Sequence, residues 1–253
     1  MIVVHHLDDS RSQRILWLLV SIGQRFPGNC IHLLLAGGTW SPVPGQTIPT
    51  QFCRSPFATN IFTAGFVDDL IQRAPKSLLE VTPLGKSPVI TDGDVTLAES
   101  TADHRVSHQQ ILAQDAKPVK WTQTTLIVVT HFAEGSLMSL IVERLLLKTS
   151  PRFMPLDVRP TATALFGQVR KQSIEPEIRK YAAFVEAHLE KVEWFAGGSG
   201  PTTADFAMSF PLECLAILKM AGPRCLAYVA KIQARPAYSR ALEKGESRYA
   251  YKL

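Results

Sequence analysis

Residues 83–100, PLGKSPVITDGDVTLAES, carry the signals that decide the fold of the first part of the chain. Two short runs, Val89-Ile90-Thr91 and Val95-Thr96-Leu97, flank the turn-forming residues Asp92-Gly93-Asp94. An Asp-Gly pair between two such runs is a strong local signal for a β-hairpin. The stretch therefore predicts two antiparallel strands, with a Ser-Pro step before the first and a Glu-Ser pair after the second.

The N-terminus predicts a further strand and a helix. Residues 2–4 are Ile-Val-Val, and the turn-favouring residues 8–10, Asp-Asp-Ser, end this β-type run. Ser10 and Gln13 fit a capping box at the start of the helix, and Gly23 fits its stop. Apolar residues recur at i, i+3, i+4 and i+7 in between, namely Ile15, Leu18, Leu19 and Ile22. We therefore expect one apolar face of this helix to pack on a sheet.

The second half of the chain predicts helices. One apolar stripe at helical spacing consists of Phe132, Leu137, Leu140, Ile141 and Leu145, and another of Ile174, Ile178, Tyr181, Val185, Leu189 and Val192. Between the two stripes, Pro151, Pro155 and Pro160 indicate a loop. Thr202 as N-cap and Asp205 three residues later predict a firm helix start before the apolar run 206–215.

Composition limits the classes of protein to which the chain can belong. With 253 residues, 46% hydrophobic and 19% charged, it is expected to bury a core and to fold as two domains. The net charge of +5 is modest and the basic residues are scattered, which argues against a nucleic-acid partner. Apolar runs such as 15–20 and 31–36 are too short to span a membrane, and no secretion signal is visible.

The cysteines indicate a reducing compartment. The four cysteines show no Cys-x-x-Cys pair and no metal-ligand spacing with the seven histidines. We therefore expect reduced thiols, no bound metal and a soluble cytoplasmic protein.

Residues 24–67 form an anomalous segment. From 26 to 67 the chain has five prolines, five glycines and one charged residue, Arg54, without a sustained apolar period. Neither a charged linker nor a folded insertion has this composition. Residues 101–125 are anomalous as well, because the helix expected there lacks an apolar stripe. We hypothesise that parts of both segments derive from translated intron or a gene-model error.

Several segments together resemble the glutathione transferase family, especially its serine-type cytosolic enzymes of fungi and bacteria. The two most diagnostic segments are residues 5–19 and residues 83–90, the latter followed by Leu97-Ala98-Glu99-Ser100. Weaker matches to the family's helical domain follow at residues 131–137, 194–197, 202–213 and 235–242. No single motif is unique, but their order and spacing make coincidence improbable.

The resemblance implies a fold and an activity. The fold is a thioredoxin-like α/β domain, over residues 1–103 with 24–67 as an insertion, followed by an all-helical domain over residues 120–253. The implied activity is that of a glutathione S-transferase, usually a homodimer, which activates the glutathione thiol for attack on an electrophile or a hydroperoxide. Glutathione acts as co-substrate, and no cofactor or metal is expected. The alternative is a non-catalytic protein of the same fold that serves as a binding or scaffold protein with a damaged site.

Ser10 is the candidate catalytic residue. A hydroxyl at a helix N-terminus donates a hydrogen bond to a thiolate, and the helix dipole adds positive potential. The alternative is a purely structural N-cap, and the two roles are compatible. Ser12 is the fallback, and Arg11 or Arg14 would support the site electrostatically. A thiol-dependent oxidoreductase is disfavoured, because residues 8–14 contain no cysteine.

The candidate glutathione-binding residues are Lys86, Ser87, Pro88, Glu99 and Ser100. Ser87-Pro88 resembles the family's cis-proline junction, whose backbone pairs with the cysteinyl part of glutathione, although base rates favour an ordinary trans proline. Lys86 would lie beside the glycyl carboxylate, although a single lysine is more often solvated surface. Glu99 and Ser100 resemble the pair that holds the γ-glutamyl end, and a second helix cap is the alternative.

Overall fold

The computed structural model describes residues 2–7, 11–21, 31–33, 81, 88–92, 95–98 and 120–244. The described strands are β1 (Ile2–Leu7), β2 (Ile31–Leu33), β3 (Val89–Asp92) and β4 (Val95–Ala98). The described α-helices are α1 (Ser12–Ser21), α2 (Lys120–His131), α3 (Ser139–Thr149), α4 (Arg159–Val169), α5 (Glu175–Leu189), α6 (Thr203–Ile217), α7 (Pro223–Gln233) and α8 (Pro236–Lys244).

The four described strands form one mixed sheet in the order β2-β1-β3-β4. β1 pairs with β2 in parallel and with β3 antiparallel. β2 lies inside the segment 24–67, so this segment supplies an edge strand of the sheet. Its residues Ile31, His32 and Leu33 pair with His5, His6 and Leu7 of β1.

The predicted hairpin is confirmed. β3 and β4 are antiparallel, and Asp92 pairs with Val95, so that Gly93 and Asp94 are the two loop residues. A two-residue loop of this kind requires residues that tolerate positive φ, which is the reason for Gly next to Asp.

Helix α1 differs from its prediction, because it is buried on every side and not on one apolar face only. Every residue from Ser12 to Val20 is buried, including Gln13 and Arg14. α1 contacts β1 on one side and α6 and α8 on others. Trp17 anchors this packing, with ring centroids 4.3 Å from Phe206 and 5.6 Å from Tyr238. The polar face of α1 is thus covered by helices that come almost 200 residues later in the chain.

In the second half of the chain, two long helical rods pack against each other. α2 continues through a π-helical segment, Phe132–Met138, into α3 and then into a 3-10 turn, Ser150–Phe153. α4 likewise continues through a second π-helical segment, Arg170–Ile174, into α5. The predicted stripes face the core, where Leu137, Ile141, Leu145, Ile174, Ile178 and Val185 are buried. The prolines mark the connection between the two rods, as expected.

The predicted capping box at the start of α6 is also confirmed. The Thr202 backbone N–H donates to Asp205 Oδ2 at 2.7 Å, and the Asp205 backbone N–H donates to the Thr202 side chain. This fully buried helix therefore begins with its first donors satisfied.

One described helix, Thr124–Phe153, is long and apolar enough to cross a membrane by length and composition alone. A single helix of this kind is a weak indication of a span, because core helices of globular proteins meet the same criterion. Leu126, Ala133 and Ile141 of this helix belong to the hydrophobic core. The domain limits 1–103 and 120–253 stay predictions, since residues 99–119 lie outside the described part.

Candidate functional site

The register of the sheet brings three candidate segments to one end. Val89, the first residue of β3, pairs with His5 of β1 on one side and with Ala98 of β4 on the other. Pro88 directly precedes Val89, and Glu99 directly follows Ala98. Because neighbouring strands lie about 4.8 Å apart, the chain leaves the sheet at these points within a small area. β1 ends nearby at Leu7, three residues before Ser10.

Of the candidate site residues, the structure describes only Pro88, which is buried immediately before β3. The other five, Ser10, Lys86, Ser87, Glu99 and Ser100, lie outside the described residues, so their roles stay predictions.

The start of α1 carries two arginines that a glutamate from the helical part neutralises. Arg14 Nη1 lies 2.5 Å from Glu134 Oε1, and Arg11 Nη1 lies 2.8 Å from Glu134 Oε2. Arg14 also donates to the Ala207 carbonyl of α6 at 3.1 Å. Positive charges at a helix N-terminus oppose the helix dipole, so the carboxylate compensates for an otherwise unfavourable arrangement.

The carboxyl of Glu134 is ionised at every pH at which the protein is expected to work. Burial raises its pKa, but the charges of Arg14 and Arg11 and the hydrogen bonds that they donate lower it from 4.5 to about 2. The side chain of Arg14 is 1% exposed and that of Glu134 is 19% exposed. This pairing therefore joins the turn after β1 to the helical rods through a largely buried ionic contact.

Glu134 lies in the π-helical segment Phe132–Met138, which also contains Gly135. A π-helical turn inserts one residue into the helical ladder and often marks a functional position. Ser139 at the end of this segment donates its hydroxyl to the carbonyls of Glu134 and Gly135, at 3.0 and 3.1 Å.

A cleft of about 290 Å³ opens beside Arg11, the residue that follows Ser10. Its apolar lining comes from Met138, Val142 and Leu146, and its polar lining from Arg11, Glu134, Ser139 and Glu143. A small apolar molecule with a polar substituent fits this lining.

The described cysteines are poor nucleophiles. Cys214 and Cys225 are free and buried. Burial raises the pKa of both thiols, and in Cys225 the neighbouring Glu186 raises it further. Within the described residues, no group of three or more His, Cys, Asp or Glu is arranged to hold a metal ion.

Glu134 is the residue of this site that sequence reasoning missed. It lies within the segment 131–137, in which the sequence indicates no role for it. Nothing local marks it, because its partners lie 120 and 123 residues earlier in the chain. The one signal is that Arg11 and Arg14 lie at a helix start whose first turn has no acidic residue. Such an arrangement needs a carboxylate from elsewhere in the chain.

Two yeast proteins are similar to this chain over most of its length. No family model matches the chain. Glutathione S-transferase 3 of Schizosaccharomyces pombe is 27% identical over 222 residues, which cover 84% of this chain and 73% of that protein. Glutathione S-transferase 1 of Saccharomyces cerevisiae is 24% identical and covers 98% of this chain and 96% of that protein.

Solved structures agree in fold. A glutathione S-transferase from Actinobacillus pleuropneumoniae superposes with a TM-score of 0.64 at 24% identity, over 99% of this chain and 95% of that one. The glutathione transferase URE2P6 from Phanerochaete chrysosporium, solved in complex with oxidized glutathione, gives a TM-score of 0.61 at 16% identity, over 97% and 96%.

The sheet order, the helical rods and these matches define a protein with a thioredoxin-like domain followed by an all-helical domain. Over most of its length the chain is similar in sequence and in fold to glutathione S-transferases.

Proposed function

We propose that this protein is a glutathione S-transferase that binds glutathione at one end of its sheet and activates the thiol as a thiolate. The observation that carries the proposal is the pairing of Val89 with both His5 and Ala98. Because of this register, the strand ends next to Pro88 and Glu99 lie close to the end of β1, which leads to the turn before α1. A single tripeptide ligand requires that these three points lie close together.

In this proposal Ser10 donates its hydroxyl to the glutathione sulfur. The hydroxyl favours the thiolate over the thiol without taking the proton, which is released to solvent. The N-terminus of α1 and the guanidinium of Arg11 add positive potential on the same side. Ser10 therefore lowers the pKa of the bound thiol, and any N-cap role is additional.

The cradle residues recognise the rest of glutathione. The backbone at Ser87-Pro88 pairs with the cysteinyl residue, and Lys86 attracts the glycyl carboxylate. Glu99 faces the γ-glutamyl ammonium, and Ser100 donates to the γ-glutamyl carboxylate. Burial of Pro88 supports this arrangement, since a buried proline holds the chain in one conformation directly before β3.

The pairing of Glu134 with Arg14 and Arg11 positions the start of α1. Because Arg14 is buried and also bound to the Ala207 carbonyl, α1 is held against both the π-helical segment and α6. Glu134 is thus a positioning residue in this proposal, acting on Ser10 through the helix start and not through contact with the substrate.

The reaction uses the thiolate as nucleophile. The sulfur attacks an electrophilic carbon, a carbon–sulfur bond forms, and the leaving group departs with the bonding electron pair. With a hydroperoxide, the thiolate takes the terminal oxygen and releases the alcohol, and a second glutathione then yields the disulfide and water. The cleft beside Arg11 is the site that we assign to the electrophile.

The proposal includes a cytoplasmic homodimer with glutathione as its co-substrate, and it gives no role to a metal, an organic cofactor or nucleic acid. Ile127 and Val128 of α2 are 50% and 58% exposed, and a second copy would remove such apolar surface from water.

The test combines turnover with the titration of the bound thiol. We expect Ser10→Ala to lower kcat/KM toward an aryl halide by roughly 10²- to 10³-fold, as for the loss of one donor to a developing anion. The pKa of the bound thiol, followed by thiolate absorbance, should rise toward that of free glutathione. Ser173→Ala removes an exposed serine far from the site and is the matched control.

Two outcomes would contradict parts of the proposal. Unchanged turnover in Ser10→Ala, with a loss in Ser12→Ala, would transfer the role to Ser12. Retained glutathione binding without turnover in the wild type would favour the scaffold alternative. The cradle is tested by calorimetry, in which Glu99→Gln should weaken glutathione binding about tenfold or more, because it removes a charge-assisted bond.

A further inference from the structure

The net positive charge of this protein comes from one stretch, although basic residues occur throughout the chain. Residues 144–171 contain six Lys and Arg and one Asp, a net charge of +5, which equals the net charge of the whole chain. The other residues are therefore electrically balanced. This stretch runs from the second half of α3 through the connection to α4 and into the second π-helical segment.

The connection between α3 and α4 exposes apolar side chains at the same place. Phe153 is 63% exposed, Leu156 77% and Val158 46%. Isolated exposed apolar residues are common, but three within six residues concentrate exposed apolar surface in one short segment. Lys148 and Arg152, which precede Phe153 in the chain, are also exposed. We call Lys148, Arg152, Phe153, Leu156, Val158 and Arg159 the basic tip.

The basic tip is held in a defined conformation. Met154 N–H donates to the Pro151 carbonyl at 3.2 Å, and Arg159 N–H donates to the Pro155 carbonyl at 3.1 Å. Arg159 Nη2 also donates to the Met154 carbonyl at 3.1 Å. Proline fixes φ at two positions of this short connection. The apolar side chains are therefore presented outward without the entropy loss of ordering a flexible loop.

The cations of the basic tip outnumber its one carboxylate, Asp157, which is exposed between Leu156 and Val158. Arg144 and Arg170 share one carboxylate, Glu175, each at 3.2 Å. In the described part of the chain, no carboxylate pairs with Lys148 or Arg152. Burial lowers the pKa of Lys148, and Arg144, Arg152 and Arg170 lower it further by repulsion. An anionic surface placed here would relieve this repulsion.

We propose that the basic tip attaches the protein peripherally to a lipid bilayer that contains anionic phospholipid. The exposed Phe153 and Leu156 enter the boundary between headgroups and acyl chains, and Lys148 and Arg152 bind the phosphate and carboxylate headgroups. Both parts are needed, because interfacial binding grows with buried apolar area and with electrostatic attraction.

A bilayer fits this surface better than an acidic protein does. The apolar residues project from the short connection between two helices, whereas protein interfaces have an extended, shape-complementary apolar core. This inference departs from the expectation of no membrane partner, which rested on apolar runs and not on exposed positions. It concerns attachment at the surface and involves no membrane-spanning helix.

The experiment is co-sedimentation of the full chain with vesicles of phosphatidylcholine alone and of phosphatidylcholine mixed with phosphatidylserine. We expect binding to the mixed vesicles, weaker binding as salt is added, and little binding to the neutral ones. The double variant Lys148→Gln/Arg152→Gln should lower the partition coefficient by about 25-fold, because each cation near the surface contributes about fivefold. Leu156→Ser should lower it about tenfold.

Matched controls remove equivalent groups elsewhere. Leu226→Ser removes a side chain that is 40% exposed on α7, and Lys191→Gln removes an exposed cation after α5. Both should bind like the wild type. Absence of wild-type binding to the mixed vesicles, or equal losses in the controls, would overturn the proposal. Binding to soluble polyglutamate without binding to vesicles would also overturn it and indicate an acidic protein partner.

The glutathione site provides an independent measurement. Glutathione affinity and turnover of the basic-tip variants should equal those of the wild type, since the substitutions are confined to exposed residues. Failure of vesicle binding therefore leaves the proposed transferase function untouched, and failure of glutathione binding leaves this inference untouched.

Discussion

Arg14 and Glu134 form a largely buried ion pair, 2.5 Å between Nη1 and Oε1, across 120 residues of chain. One residue belongs to the first turn of α1 and the other to the π-helical segment after α2. Because Arg14 also binds the Ala207 carbonyl, this guanidinium joins three elements. The pair explains how a helix start with two arginines is stable.

Removal of the Glu134 charge should destabilise the fold. Glu134→Gln preserves size and leaves Arg14, 1% exposed, without its ionic partner. We expect the free energy of unfolding to fall by about 3 kcal/mol, as when one member of a buried pair is lost. Urea unfolding measures the change. Glu143→Gln is the control, since Glu143 lines the same cleft but is exposed, and its effect should stay within about 0.5 kcal/mol. Equal losses in both variants would refute the assignment.

The same pair should make stability depend on acid pH. The pKa of Glu134 is about 2 in the folded protein, against 4.5 for an unperturbed carboxyl. A carboxyl with a lowered folded pKa stabilises the fold above its unfolded pKa, and this contribution is lost as pH falls through the folded pKa. The contribution is about 3 kcal/mol at neutral pH, present above about pH 5 and lost toward pH 2.

The measurement for this dependence is the difference in unfolding free energy between the wild type and Glu134→Gln across that pH range. The difference should shrink as pH falls. A difference that stays constant from pH 6 to about pH 3 would contradict the assigned pKa.

Asp205 should be the most sensitive polar residue of the helical core. Its Oδ1 accepts from Phe195 N–H at 2.9 Å and from the Tyr228 hydroxyl, and its Oδ2 accepts from Thr202 N–H and Oγ1 at 2.7 Å each. Burial raises its pKa, and these hydrogen bonds oppose that rise. Asp205→Ala leaves several buried donors without an acceptor, so we expect a loss of about 3 kcal/mol or more.

Single-partner changes around Asp205 should cost less. Tyr228→Phe and Thr202→Ala each remove part of the network, with an expected loss of about 1 kcal/mol. Thermal unfolding ranks the three variants, and Asp157→Ala, at an exposed position, is the control. An Asp205→Ala loss no larger than that of Thr202→Ala would mean that the carboxylate is only a helix cap.

Gly222 is required by the close approach of Glu186. The Glu186 carboxylate accepts from the backbone N–H groups of Arg224 and Cys225, at 3.1 and 2.7 Å, and so caps α7 from a neighbouring helix. A Cβ on Gly222 would lie 2.4 Å from Glu186 Cδ. Gly222→Ala should therefore displace this cap and cost about 1 to 2 kcal/mol.

A double-mutant cycle tests the cause of that loss. In a Glu186→Ala background there is no carboxylate to displace, so Gly222→Ala should cost clearly less than in the wild type. Additive losses in the two variants would show that Gly222 acts through backbone conformation and not through Glu186.

The predictions that held depend on local chemistry. The hairpin follows from Gly93 between two β-type runs, and the start of α6 follows from the spacing of Thr202 and Asp205. Such signals need only a few neighbouring residues. The strand β2 could not be predicted in the same way, since Ile31–Leu33 lies in a segment without periodicity and owes its strand conformation to pairing with β1.

The candidate site was predictable only in part. The motifs gave the positions of Pro88, Glu99 and Ser10 in the sequence. The sheet register then showed that the strand ends next to these residues lie close together. The cleft lining and Glu134 had no sequence signal, because they depend on how the helical rods pack beside α1. The concentration of charge in residues 144–171 is visible in the sequence, but its coincidence with exposed Phe153 and Leu156 is not.

The sequence by itself determined the strands of the hairpin, the start of α6, the apolar stripes and the resemblance to glutathione transferases, because turn chemistry and periodicity act over a few residues. Only the tertiary structure decided that α1 is buried on all sides, that Glu134 neutralises Arg14, and that the basic tip projects from the protein. The physical reason is that a buried charge needs a partner of opposite charge, and the tertiary fold can bring that partner from a distant part of the sequence.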